Sequence, residues 1–182
     1  MSGAHIESHG PHDKGIALLI SVLALVLAFS ETLGKSAQTE ALDANIQASN
    51  LWSFFQAKTI RQTTLRTAAE QLELLGTSPA AKQQIEAWKA NAERYESQPD
   101  KNEGRKELAA RANKAERRRD RAMTAYHHYE LASAAVQIGI VLASASIITA
   151  MPVLAWIAGA LGAIGTALCV VGFWFPALLH LA

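Results

Sequence analysis

The chain of 182 residues contains a single cysteine, Cys169. A lone cysteine cannot close an intrachain disulfide, and inside an apolar run it reads as a small packing residue. No GxGxxG and no GxxxxGK(S/T) occurs, so the signatures of Rossmann units and P-loops are missing. No activated serine motif is present either, which leaves nucleophilic catalysis without a candidate. Net charge is +1, so there is no basic excess to hold a nucleic-acid backbone. The most telling absence is charge itself. Every lysine and arginine lies between Lys14 and Arg121, and from Leu131 to Ala182 His180 alone can carry one. A soluble domain needs charged groups across its surface. The C-terminal third therefore points to a membrane.

Two apolar runs are present. The first, Ile16–Leu33, has Glu31 as its only charge and spans roughly 27 Å as a helix, close to the hydrocarbon thickness. A cleaved signal peptide is the rival reading, but the run lacks a clear small-x-small cleavage site and its N-region sets one lysine against Glu7 and Asp13. The second run, from Leu131 onward, would be roughly 70 Å long as one helix, more than twice the bilayer. It has to fold back, and Ala150-Met151-Pro152 is the break, because Pro152 disfavours helix before it. The expected fold is all-α. It has transmembrane helices over 16–34, 131–150 and 153–175, an N-tail over 1–15, a C-tail over 176–182, and a long antiparallel helical stalk over 35–130.

Small residues recur every four positions along the last two spans: Ala135, Gly139 and Ala143, then Ala155, Gly159, Ala163 and Ala167. Membrane helices pack through such faces, either within the chain or against another subunit. Arg111, Lys114, Arg117, Arg118, Arg119 and Arg121 precede the second span. The positive-inside rule then places the stalk in the cytoplasm and the N-tail outside. The Arg117–Arg121 run could also touch anionic lipid headgroups.

Residues 35–75 contain no glycine or proline and favour one long helix leaving the first span. Ser78 and Pro79 should cap and open a second helix, with a stripe of Ala81, Ile85, Trp88, Ala92 and Tyr95. The loop Gln98–Gly104 ends it, and a third helix begins near Arg105. Leu65, Ala68, Leu72 and Leu75 form the expected outgoing seam. Leu108, Ala112, Ala115 and Ala122 form the returning one, with Lys58, Arg61 and Arg119 interrupting.

Trp52, Phe54, Phe55, Lys58 and Arg61 are the most distinctive cluster. It reads as a packing knot or as a docking surface. They lie in Ile46-Gln-Ala-Ser-Asn-Leu-Trp-Ser-Phe-Phe-Gln-Ala-Lys-Thr-Ile-Arg-Gln62, after Ala37-Gln-Thr-Glu-Ala-Leu42. This stretch resembles the bacterial membrane family catalogued as domain of unknown function four-three-three-seven. Tyr129-Glu-Leu-Ala132 and Gln137-Ile-Gly-Ile-Val-Leu-Ala-Ser144 look like that family's second span, and the histidines before Asp13 like its His-rich tail. The resemblance implies three spans in an inner membrane and a coiled cytoplasmic insert, with no activity attached.

Glu31, Glu130 and Gln137 are the candidates for proton handling or polar lining. His127 and His128 beside them, and His5, His9 and His12 in the tail, are loose candidates for a metal, but adjacent helical histidines point about 100° apart. No cofactor is expected. The leading expectation is a non-enzymatic homo-oligomer that acts as a scaffold through its stalk. The alternatives are an oligomeric channel or proton- or metal-handling protein around Glu31, Gln137 and His127, and an accessory subunit of a larger membrane complex. Membrane lipid and a second copy or a partner membrane protein are the expected partners.

Overall fold

The structure is a computed structural model that describes residues 11–75 and 78–175, with side chains from Lys14 onward. Four α-helices follow one another: α1 Pro11–Leu75, α2 Pro79–Glu96, α3 Arg105–Thr149 and α4 Pro152–Trp174. No strand occurs among the described residues. By length and composition, α1, α3 and α4 each contain a stretch able to cross a membrane.

The helix boundaries follow from local chemistry. Ser78 is extended and its hydroxyl accepts from the amide of Ala81, with Pro79 at the first helical position. That satisfies one of the orphan donors at the start of α2. Gly104 supplies the first carbonyl of α3, accepting from Leu108 at 2.8 Å. Between α3 and α4 the turn is two residues long. Ala150 adopts φ 54° there, a left-handed conformation that costs a residue with a Cβ. The Ser146 hydroxyl donates to the Met151 carbonyl at 2.9 Å and ties the turn down.

The chain divides into two compact units, one of residues 41–120 and one of residues 1–40 with 121–182. In the 41–120 unit, Ala48 and Leu51 of α1 pack on Leu108, Ala112 and Ala115 of α3, with Trp52 and Phe55 at the margin. On α1 the inward positions continue through Lys58, Gln62, Leu65, Ala69 and Leu72 in steps of four and three. That alternation keeps a seam on one side of a helix. It also corrects the expected outgoing seam. Ala69 replaces Ala68 as the fully buried residue, and Leu75 is 86% exposed, because the step after Leu72 falls at residue 76. Ile85 and Ala92 are the buried residues of α2.

The other unit packs α1, α3 and α4 through small residues. Ile16, Ala143 and Ala158 form its core with Leu19, Ile20, Leu142 and Ala155 around them. A Cβ on Gly165 would lie 2.5 Å from Val136 Cγ2 and 3.1 Å from the Ala132 carbonyl oxygen. One on Gly162 would collide with the tip of Leu23. On α4 the buried face is thus Ala158, Gly162, Gly165 and Gly172. The anticipated stripe is rotated away: Ala163 and Ala167 are exposed, and no described residue meets a Cβ built on Gly159. A strict stride of four overshoots each turn by about 40° and spirals around the helix. On α3 Gly139 and Ala143 are buried and Ala135 half-buried.

Candidate functional site

Two clusters of polar side chains stand out, one in each unit. The first lies in the unit of residues 1–40 and 121–182. An open groove of about 610 Å³ is bordered by Glu31, Lys35 and Gln38 of α1 and by Tyr126, Tyr129, Glu130, Ser133 and Gln137 of α3. The sequence candidates Glu31, Glu130 and Gln137 therefore share one groove. The Gln137 amide donates to Glu31 across the two helices at 3.4 Å. Beneath it, the buried Ser30 hydroxyl donates to the Tyr129 carbonyl at 2.8 Å and lies 2.7 Å from the Ser133 hydroxyl.

The two histidines separate. His127 is half-exposed with Nδ1 3.6 Å from the Glu130 carboxylate. His128 is fully buried, and its Nδ1 donates to the Thr124 carbonyl at 2.7 Å. Its Nε2 is buried without a hydrogen-bond partner among the described residues. Among the described residues no group of three or more His, Cys, Asp or Glu is placed to hold a metal ion. His5, His9 and the side chain of His12 lie outside the described residues.

The second cluster centres on Arg105, in the 41–120 unit. Its guanidinium donates to the Thr59 hydroxyl at 2.9 Å, the Gln62 side-chain carbonyl at 2.5 Å and the Glu96 carboxylate at 2.8 Å, and sits 5.0 Å from the Phe55 ring centroid. One arginine thus ties α1, α2 and α3 together. The Gln62 amide donates to both the Ala92 carbonyl and Glu96. That hydrogen bond, with the nearby Arg105 charge, holds the Glu96 carboxyl below the usual carboxylate range. Glu107 is lowered too, chiefly by the Ser97 hydroxyl that donates to it at 2.7 Å.

The aromatic cluster turns mostly inward around this hub. Trp52 donates from its indole to Glu116 at 2.8 Å and meets Phe55 edge to face. Lys58 is buried, with its ammonium 5.2 Å from the Phe54 centroid, 5.4 Å from the Tyr95 centroid and 3.9 Å from Glu103. As a continuous docking surface the set is therefore corrected: Trp52, Phe55 and Lys58 are engaged within the unit, and Phe54 and Arg61 remain exposed. The physical reason is spacing, since residues 51, 55, 58 and 62 continue the inward seam.

The family model described as Domain of unknown function (DUF4337) matches residues 12–175. The chain belongs to this family. The match takes in both clusters and all four helices. No curated protein and no solved structure matches the chain. Family membership accordingly supplies no activity to either cluster. Arg105 is the residue that sequence reasoning passed over, and His128 stood only as a loose metal candidate beside His127. Arg105 stood only as the start of a helix, although its place beside Gly104 and within reach of an acidic helix end was a usable signal. The burial of His128 had none.

Proposed function

We propose that this chain is a three-span protein of the bacterial inner membrane that assembles with copies of itself and acts as a non-enzymatic scaffold through its helical stalk. One observation carries the membrane reading. In the unit of residues 1–40 and 121–182 the polarity is inverted relative to a soluble domain. Leu18, Val22, Phe29, Val141, Ile148, Val153, Trp156 and Phe173 are exposed, whereas Ser30, His128 and Ser146 are buried. Lipid makes such an arrangement favourable and water does not.

The stalk reading is supported by the order of contacts in the 41–120 unit. Asp43 meets Arg118, Trp52 meets Glu116 and Thr59 meets Arg105. Partner numbers fall as α1 advances, which is the register of two antiparallel helices. Self-assembly is supported by the face of Ala163 and Ala167, which are exposed, and of Gly159, where no described residue would meet an added Cβ. Basic residues at Arg111–Arg121 favour a cytoplasmic stalk. The test is the native mass of the complex extracted gently from its own membrane. A multiple of the chain mass is expected, and a monomer sinks the assembly reading. Stoichiometric recovery with a second protein would favour an accessory subunit instead.

A second reading rests on the Glu31–Gln137 contact. A carboxylate that meets an amide across two apolar helices could line a proton or ion path. Conductance in reconstituted bilayers that disappears in Glu31→Gln would favour it.

A further inference from the structure

The seam of α1 that faces α3 leaves an opposite face, and that face has an unusual composition. Between Leu42 and Thr67 two lines of residues run along it at seven-residue spacing, 46, 53, 60, 67 and 42, 49, 56, 63. All eight positions are exposed. Leu42, Ile46 and Ile60 are 61%, 53% and 67% exposed, high values for large aliphatic side chains. A shallow groove of about 520 Å³ runs beside Ile60, Thr63 and Thr67. Not one of the eight is charged, in a helix stretch that carries Asp43, Lys58, Arg61 and Arg66 elsewhere. A solvated helix face normally concentrates charge. The seven-residue spacing is that of a coiled-coil seam, here with three aliphatic positions and five uncharged polar ones.

We infer that this face of α1 is the site where a second copy of the same chain docks, as a parallel, in-register coiled coil. The inference rests on the membrane and self-assembly reading above and names its surface. Copies inserted in one membrane with one topology present α1 in the same direction, so equivalent residues meet. An in-register pairing brings every residue against itself, which excludes charge from the seam, and the seam has none. Ile46 and Ile60 then meet their own counterparts in apolar contact. Ser53, Gln56 and Thr67 each carry both a donor and an acceptor, so each can hydrogen-bond its own copy. Polar residues at such positions fix register at some expense of stability. The charges nearest the face, Asp43, Arg111 and Arg118, border the groove beside Ile46 and flank the seam rather than enter it.

The test is disulfide trapping in native membranes of the full chain with Cys169→Ser. Single cysteines are introduced as Ser53→Cys, Ile60→Cys and Thr67→Cys, with Arg94→Cys and Lys114→Cys as exposed references. All five positions are at the surface, so folding is not at risk. Mild oxidation should give dimers several-fold more efficiently at 53, 60 and 67 than at 94 or 114. In-register pairing brings equivalent backbones close enough for a disulfide. Native mass of the same preparations separates the two ideas. A monomer removes the assembly reading and this inference with it. An oligomer whose cysteines at 53, 60 and 67 crosslink no better than the references keeps assembly and overturns this face as its seam. Crosslinks from 60 to a different protein overturn the second copy as the occupant.

Discussion

Arg105 is the point at which three helices of the 41–120 unit are joined, and its removal has a calculable cost. Arg105→Ala abolishes three hydrogen bonds, to Thr59, Gln62 and Glu96, and the contact with Phe55. The side chain is about one-quarter exposed and Glu96 about one-third, so the ion pair itself is screened and contributes at most ~1 kcal/mol. The two bonds from a cation to neutral acceptors add about 1 kcal/mol each at this exposure. The ring contact adds roughly 0.5–1 kcal/mol. With incomplete additivity the expected loss is about 2–4 kcal/mol, a large share of the 5–15 kcal/mol typical of a folded domain. Arg105→Lys retains the charge but cannot reach three acceptors with a fork, so it should lose about half as much. The assay is urea unfolding in lipid nanodiscs followed by tryptophan fluorescence. With Trp156→Phe and Trp174→Phe in the background, Trp52 and Trp88 report on this unit alone. A loss below about 1 kcal/mol in Arg105→Ala, or a lysine variant as stable as the parent, would refute the hub.

Four further outcomes are expected. Gly104→Ala should destabilise the same unit by about 1–3 kcal/mol in that assay, because its Cβ would lie 2.6 Å from Ser97 Cα and against the Gln98 amide and the Glu107 carboxylate. Gly165→Ala should lower the thermal midpoint more than Gly162→Ala. The first meets the fixed Ala132 carbonyl and the second only the movable tip of Leu23. Ala150→Gly should raise the midpoint by the equivalent of roughly 0.5–1 kcal/mol, since glycine adopts φ 54° without the Cβ penalty. The carboxyls of Glu96 and Glu107 are lowered in the folded state, so their contribution is complete above the unfolded value of about 4.3 and is lost as pH falls through the folded ones. Stability of the 41–120 unit should therefore be level from pH 7 to about 5 and drop below about 4.3, with a shallower drop in Glu96→Gln.

The helices were legible because their signals are local. A breaker-free stretch to Leu75, the Ser78-Pro79 cap, the Gln98–Gly104 loop and Pro152 set the four boundaries, and the structure agrees within a residue or two at each. The faces were less legible, since a face depends on the summed rotation along a helix. A stride of four looked like one stripe on α4, yet the buried residues follow steps of four, three and seven. On α1 the expected seam already alternated three and four but in the wrong phase, which moved Leu75 inward and left Ala69 out. Within the clusters, Glu31, Glu130 and Gln137 stood out in the sequence as polar residues in or beside apolar runs, but the groove they share is visible only in the structure. The Arg105 hub was not anticipated, because it joins residues 55, 59, 62, 96 and 105, which no periodicity connects.

The two units dispose their polar groups differently along one continuous α1, and this bears on where activity resides. In the unit of residues 1–40 and 121–182 the polar groups answer to one another: Glu31 to Gln137, Ser30 to Ser133 and the Tyr129 carbonyl, His127 to Glu130. A group held by a neighbour in this way is stabilised in one geometry and is less available to an exchanging ligand. His128 is the exception, with Nδ1 committed to Thr124 and Nε2 facing no donor. An unpaired buried nitrogen costs about 1–3 kcal/mol, so His128→Leu, which fills similar space without that atom, should fold at least as well as the parent. A clear loss of stability would mean that Nε2 receives a hydrogen bond in the membrane. That result would move attention from the charge-free face of α1 to the groove side of the molecule, and towards the channel reading rather than the scaffold.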